Sequence, residues 1–257
     1  SDFSQIHRGG KIAMKLDEGD AIIGVALCTA DQEVLLSTAL GRCIRFPVSD
    51  VRVFAGRDST GVRGIRLAGG DHLLSMAILR AVNASVEERA AYLRHANAMR
   101  AAASGEVDEA PASEPVDDGD LEGIAVSLSV ERIAELGAAE EFVLTVSSEG
   151  FGKRTSAYDY RRTGRGGQGL IAQDLSKRGG RLVASFPVED ADELLLVTDQ
   201  GQLIRVPVAQ IRTAGRNTQG VTIFRTAAEE HVVSVERVEA GDSPGEAEGL
   251  AEGEVEG

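Results

Sequence analysis

The chain has 257 residues, 42% of them hydrophobic and 26% charged, with a formal net charge of −14. This is a globular composition with length for one or two domains, and it excludes a disordered chain. No run approaches the ~18 apolar residues of a membrane span, and two cysteines, Cys28 and Cys43, are too few for a disulfide framework, which points to a reducing, cytoplasmic setting.

Thirty glycines, 4% aromatics and no Trp favour short strands and tight turns over long packed helices. In chain order, segment 1–26 reads as the tail half of a truncated repeat, because Leu16 and Asp20 match Leu67 and Asp71 at a spacing of 51 residues. On that reading the chain is a fragment that opens part-way through a repeat. Segment 27–79 is a first full unit, with EVLLSTALGRCIRF starting at Glu33.

Segment 80–140 breaks the pattern. Ser85-Val86-Glu87-Glu88 is a capping box, and the Gly- and Pro-free run to about Ala103 predicts a helix. Ser104–Gly123 predicts disorder, and Ser129–Leu136 a short helix stopped at Gly137. Such an insertion reads as a solvated decoration. Segments 141–190 and 191–238 then repeat the first unit, and 239–257 is an acidic tail.

The repeat rests on recurring anchors. A turn glycine (Gly41, Gly150, Gly201) is followed four residues on by Arg45, Arg154 or Arg205. A Gly-Arg pair comes next (Gly56-Arg57, Gly164-Arg165, Gly215-Arg216), then a second glycine (Gly61, Gly169, Gly220). Gly150 and Gly201 are 51 residues apart, whereas Gly41 and Gly150 are 109 apart, one period enlarged by an insertion of 58. Each copy reads as four short strands; in the last these are Glu193–Thr198, Leu203–Val208, Val221–Arg225 and Val232–Val238, with a hairpin turn at Asp199-Gln200-Gly201. A lone four-stranded sheet cannot bury its own faces, so the units must stack side by side or around an axis. The period argues against the alternative, an ordinary β-sandwich.

The net charge conceals a basic body. Ser104–Gly123 holds eight acidic residues and 239–257 seven more, neither with any Lys or Arg; without those fifteen the remainder carries +1. Gly150–Arg181 has eight bases against Asp159 and Asp174, and Gly201–Arg225 has four arginines and no acid. Catalytic patterns are missing: His7, His72, His95 and His231 are dispersed, Cys28 and Cys43 read as small buried residues, and no glycine-rich stretch ends in Gly-Lys-Ser/Thr. Nothing nearby in sequence activates Tyr92, Tyr158 or Tyr160, and no metal site is expected. The Gly-Arg loops instead suit phosphate: a tight turn exposes backbone N–H groups, and the arginine adds a planar fork of permanent charge. Repeated at a fixed period, such loops form a rim able to hold a duplex by its backbone. The competing reading pairs these arginines with strand carboxylates of the neighbouring unit.

TGVRGIRL (Thr60–Leu67), GFGKRT (Gly150–Thr155), GRNTQGV (Gly215–Val221) and the opening GGKIAMKLDEGDAIIGV (Gly9–Val25) resemble the C-terminal domain of bacterial DNA gyrase A. The resemblance covers essentially the whole chain outside the insertion. It implies an all-β fold, a propeller-like β-pinwheel of four-stranded blades that wraps duplex DNA. It also implies a role in ATP-dependent negative supercoiling by a heterotetramer with the rest of gyrase A and with gyrase B. ATP and magnesium act elsewhere in that holoenzyme, so no cofactor and no catalytic residue is expected here. The family's first blade carries a basic box, Q-R-R-G-G-K-G; here the equivalent loops are AGRDSTG (Ala55–Gly61), TGRGGQG (Thr163–Gly169) and AGRNTQG (Ala214–Gly220), each with one base.

The expected DNA contacts are Arg45, Arg57, Lys153, Arg154, Arg161, Arg162, Arg165, Lys177, Arg178, Arg205 and Arg216. Glu246, Glu248, Glu252, Glu254 and Glu256 are expected to compete with DNA for this rim. Two alternatives stand beside this reading: the equivalent domain of topoisomerase IV, and a propeller that docks proteins. An enzyme is the third class, disfavoured by the missing constellations.

Overall fold

A computed structural model describes residues 8–104, 127–177 and 180–239. Expectations for Ser104–Gly123 beyond Ser104, and for the tail beyond Glu239, lie outside these residues.

Three antiparallel hairpins form the frame. β1 (Gln32–Thr38) pairs with β2 (Arg42–Pro47), and β3 (Leu73–Arg80) lies on the other side of β1. After the insertion, β4 (Phe142–Ser147), β5 (Phe151–Ser156) and β7 (Leu182–Val188) repeat this arrangement, as do β8 (Glu193–Thr198), β9 (Leu203–Pro207) and β11 (Val232–Val238). A single 3-10 turn follows the second strand of each hairpin, at Val48–Asp50, Ala157–Asp159 and Val208–Gln210.

The remaining strand is exchanged. The two-residue strand β6 (Leu170–Ile171) leaves its own repeat and pairs with β2 of the preceding blade, and β10 (Val221–Thr222) pairs with β5 in the same way. The sheets therefore run β3-β1-β2-β6, β10-β5-β4-β7 and β11-β8-β9. This corrects the expectation that Val221–Arg225 completes its own copy. Nothing local binds a two-residue strand to its own hairpin; tertiary pairing decides its home. β3 packs beside β7 and β7 beside β11, so these edges lie inside and the donated strands outside.

Turn glycines make the exchange sterically feasible. Gly150 has φ +73°, and a Cβ there would sit 2.1 Å from the Phe224 carbonyl oxygen of the donated segment, while Ile223 and Phe224 donate their N–H groups to the Gly150 carbonyl. Only glycine combines that conformation with so close an approach.

The core follows the two-residue period of the strands. Leu144 and Val146 on β4 face blade three, packing with Leu194, Leu196, Val208, Ile211 and Val232. Val143 points the other way and packs with Leu35, Cys43, Ala77 and Leu79 of blade one. Cys43 is buried and its thiol is pushed up to about 12 by desolvation, but Cys28 is exposed, contrary to expectation, because residues 8–31 form no strand and cover little.

The insertion folds as α1 (Val86–Ser104) and α2 (Val130–Ala139). The Ser85/Glu88 capping box forms in both directions, with Ser85 N–H to Glu88 Oε2 at 2.8 Å and Glu88 N–H to Ser85 Oγ at 3.2 Å. α2 does not stop at Gly137 but runs to Ala139. Gly137 lies beneath the Tyr92 hydroxyl, so its missing side chain serves helix packing rather than termination. The helices bury Tyr92, Ala96 and Leu136 against Tyr158 of the second blade, with the two tyrosines edge-to-face at 5.4 Å. They are anchored rather than a loose decoration: Tyr158 donates to the Leu136 carbonyl and Tyr92 to Glu140. Among the described residues no helix is long and apolar enough to cross a membrane.

Candidate nucleic-acid interface

The Gly164-Arg165 and Gly215-Arg216 loops each immediately precede a donated strand, so the fold carries them to the outer perimeter, against the 3-10 turn of the preceding blade. Here the repeated arginines separate into columns that sequence treated as equivalent.

The loop column, Arg57, Arg165 and Arg216, bonds to backbone. Arg57 Nη1 donates to the Ile12 carbonyl at 3.0 Å, Arg165 Nη1 to Arg63 at 3.1 Å, and Arg216 Nη1 to Ile171 at 3.3 Å. Ile12, Arg63 and Ile171 occupy the same place in successive repeats, each two residues after the second glycine. Arg165 Nε also donates to the Asp50 carbonyl at 3.0 Å. A neutral carbonyl orients a guanidinium but cancels none of its charge, so each loop presents a held cation.

The strand column is paired with carboxylates instead. Arg45 is 3% exposed; its Nε donates to Glu33 at 2.5 Å, Nη1 to the Ala157 carbonyl of the next blade, and Nη2 to Arg80. Arg154 bonds Asp190 and the Ile211 carbonyl, and Arg205 bonds Glu193. Lys153 is fully buried, donating to the carbonyls of Gly215 (2.6 Å), Arg216 (2.5 Å) and Thr218 (2.9 Å). Arg45 and Lys153 therefore cannot touch phosphate, correcting that expectation: their charges hold one blade to the next. Arg154 and Arg205 do pair with carboxylates, but not with strand carboxylates of the neighbouring unit as the competing reading has it: Glu193 lies on β8 of Arg205's own hairpin, and Asp190 lies between β7 and β8, outside any strand.

Arg161 is half-buried; Arg162 is exposed, with Nε 3.5 Å from Glu33. Lys177 is exposed, and Arg178 lies outside the described residues. A third column escaped the sequence reading as a set: Arg52, Arg161 and Arg212, each seven residues after the strand arginine. Arg52 and Arg212 are exposed, and the Arg52 guanidinium stacks 4.5 Å from the Phe54 ring centre. The signal was available in the repeat spacing. Arg63 and Arg66, also exposed, lie between Gly61 and the strand that follows. Burial raises the hydroxyls of Tyr158, to about 12, and of Tyr160. Among the described residues no three His, Cys, Asp or Glu side chains gather as metal ligands.

Fold and perimeter together define a strand-exchanged β-propeller with periodic arginine loops. The family model described as "DNA gyrase C-terminal domain, beta-propeller" matches residues 1–29, 32–80, 141–189 and 192–239. The chain belongs to that family. It is 54% identical to the DNA gyrase A protein of Granulibacter bethesdensis over 91% of this chain and 25% of that protein, and 42% identical to the Rickettsia prowazekii protein over 98% and 27%. The chain thus spans about a quarter of the length of these relatives. Two solved structures share the fold: the C-terminal domain of DNA topoisomerase IV (TM-score 0.61, 18% identity, covering 89% of this chain and 53% of that one) and the DNA gyrase A C-terminal domain (0.59, 21%, 92% and 59%).

Proposed function

We propose that this domain holds duplex DNA along its outer perimeter without reading sequence, and wraps it in support of ATP-dependent negative supercoiling by gyrase. In the whole enzyme it works with the rest of gyrase A and with gyrase B, in the bacterial cytoplasm, and supplies grip rather than chemistry. The observation that carries the reading is the loop column: three guanidiniums at equivalent points, each oriented by a carbonyl and, among the described residues, none bonded to a carboxylate. Arg52, Arg161, Arg162, Arg212 and Lys177 extend the track. Bending a site of 20–30 base pairs costs roughly 1–6 kcal/mol, so several blades must contribute. The acidic tail, with Glu246, Glu248, Glu252, Glu254 and Glu256, competes for this surface.

The test is duplex affinity across a salt series for the chain and for R57A/R165A/R216A. Each phosphate contact adds about 0.9 to the slope of log K against log salt, so the triple variant is expected to flatten it by about 2.7. At 0.1 M salt that corresponds to a loss of roughly 500-fold in affinity if the contacts are independent. Removal of residues 240–257 is expected to tighten binding. A shallow slope unchanged by the triple variant would instead favour the protein-docking propeller.

A further inference from the structure

Lys153 occupies the register position opposite Thr145; the same positions in the other blades are Ile44, opposite Leu36, and Ile204, opposite Leu196. One blade in three thus places an ammonium where its neighbours place an aliphatic side chain. The reason is overhead. The loop 214–220 turns the carbonyls of Gly215, Arg216 and Thr218 inward onto one point, and the Lys153 Nζ donates to all three, with the Thr218 hydroxyl at 3.3 Å. The peptide on the other side of Arg216 is held by the opposite charge, its N–H donating to Asp159 Oδ2 at 2.7 Å. Arg216 therefore has its amide gripped by an anion and its carbonyl by a cation, with its guanidinium set against the Ile171 carbonyl.

We propose that Lys153 is a positioning residue for DNA binding: it never meets phosphate, but its ammonium fixes the loop so that Arg216 stands preorganised at the perimeter. This rests on the DNA-binding reading above. A loop already ordered loses less freedom on binding, and that saving appears as affinity. The same geometry makes the clasp sensitive to proton loss, since burial pulls the Lys153 ammonium down to about 7. The charged and titratable groups facing it are Asp159, Cys43, Arg216 and Asp174. Cys43 is pushed up to about 12 by burial, and Asp174 is held below its usual range by the Ser176 hydroxyl. Neither of these two changes charge between pH 6 and about 8.5, whereas the ammonium does.

The experiment measures duplex affinity of the chain, K153M, R216A and K153M/R216A at 0.1 M salt, from about pH 6 to 8.5, with K153M/R57A as a control pair. At the acid end, K153M is expected to lose roughly eightfold, as expected for one phosphate contact. Adding R216A to K153M is expected to cost nothing further, while K153M and R57A multiply. The unsubstituted chain weakens toward higher pH by up to the same factor relative to R216A; titrations common to both cancel in that ratio. Multiplicative K153M and R216A losses overturn the proposal, as does an affinity ratio that stays constant with pH. The second comparison needs no Lys153 substitution, so it decides the matter even if K153M does not fold. A triple loop variant that binds like the parent chain refutes the DNA reading itself, a result distinct from failure of the clasp alone.

Discussion

Replacing Arg45 with Met probes what the strand arginines do. Arg45 and Glu33 are 3% and 5% exposed at their side chains, and once Arg45 is gone the cation that remains beside Glu33 among the described residues is the Arg162 Nε, 3.5 Å away. Losing one partner of a buried ion pair costs about 3–5 kcal/mol, because the other charge stays desolvated. The Ala157 and Arg80 carbonyls lose their donor as well. Arg205 occupies the same place in blade three with the same partner spacing, Glu193 twelve residues earlier, yet those side chains are 44% and 33% exposed. Such an exposed pair is worth about 0–1 kcal/mol, so R205M should be nearly silent. Arg154 falls between, 12% exposed and bonded to Asp190, a residue 76% exposed. Urea denaturation followed by far-ultraviolet circular dichroism should rank the losses R45M, R154M, R205M. The double variant E33M/R45M should recover most of the R45M loss, since no charge then remains stranded. An R45M loss within about 1 kcal/mol of R205M, below the about 3 kcal/mol expected for a broken buried pair, would refute this account.

Two further outcomes are expected. Gly150→Ala should cost well beyond the roughly 1–2 kcal/mol of a left-handed alanine, because the new Cβ meets the Phe224 carbonyl; Gly201→Ala, with φ +82° and nothing within 4 Å, should cost only that conformational share. Hydrogen exchange at Val221–Thr222 checks this, and faster exchange in both variants alike would contradict it. Leu136→Ala removes a fully buried side chain from the helix–blade contact and should loosen α1 and α2 by about 2–5 kcal/mol. Limited proteolysis should then cut the insertion before the blades; simultaneous cutting would mean that the insertion and blades unfold as one unit.

Much of the molecule was legible because its signals are local and periodic. Alternation of apolar residues marks the hairpins, a turn glycine closes each, and the Ser85/Glu88 capping box opens α1. The 51-residue spacing required stacked sheets, since a single sheet leaves a face unburied. What the sequence determined by itself was the periodicity of strands and turns and the recurrence of arginine at fixed places, because backbone conformation and side-chain alternation act over a few residues.

The tertiary structure decided which copy each short strand joins and what each repeated arginine meets. β10 belongs to the blade before its own because pairing energy is collected wherever an open edge lies, and two residues carry no address. Arg45, Arg154 and Arg205 are alike in spacing, and only the neighbouring blade fixes their burial. Arg57, Arg165 and Arg216 keep their charge uncancelled because a carbonyl, not a carboxylate, lies opposite. Lys153 reads in sequence as one more base on a basic strand. It is the packing of the next loop above it that turns an expected phosphate ligand into a buried clasp.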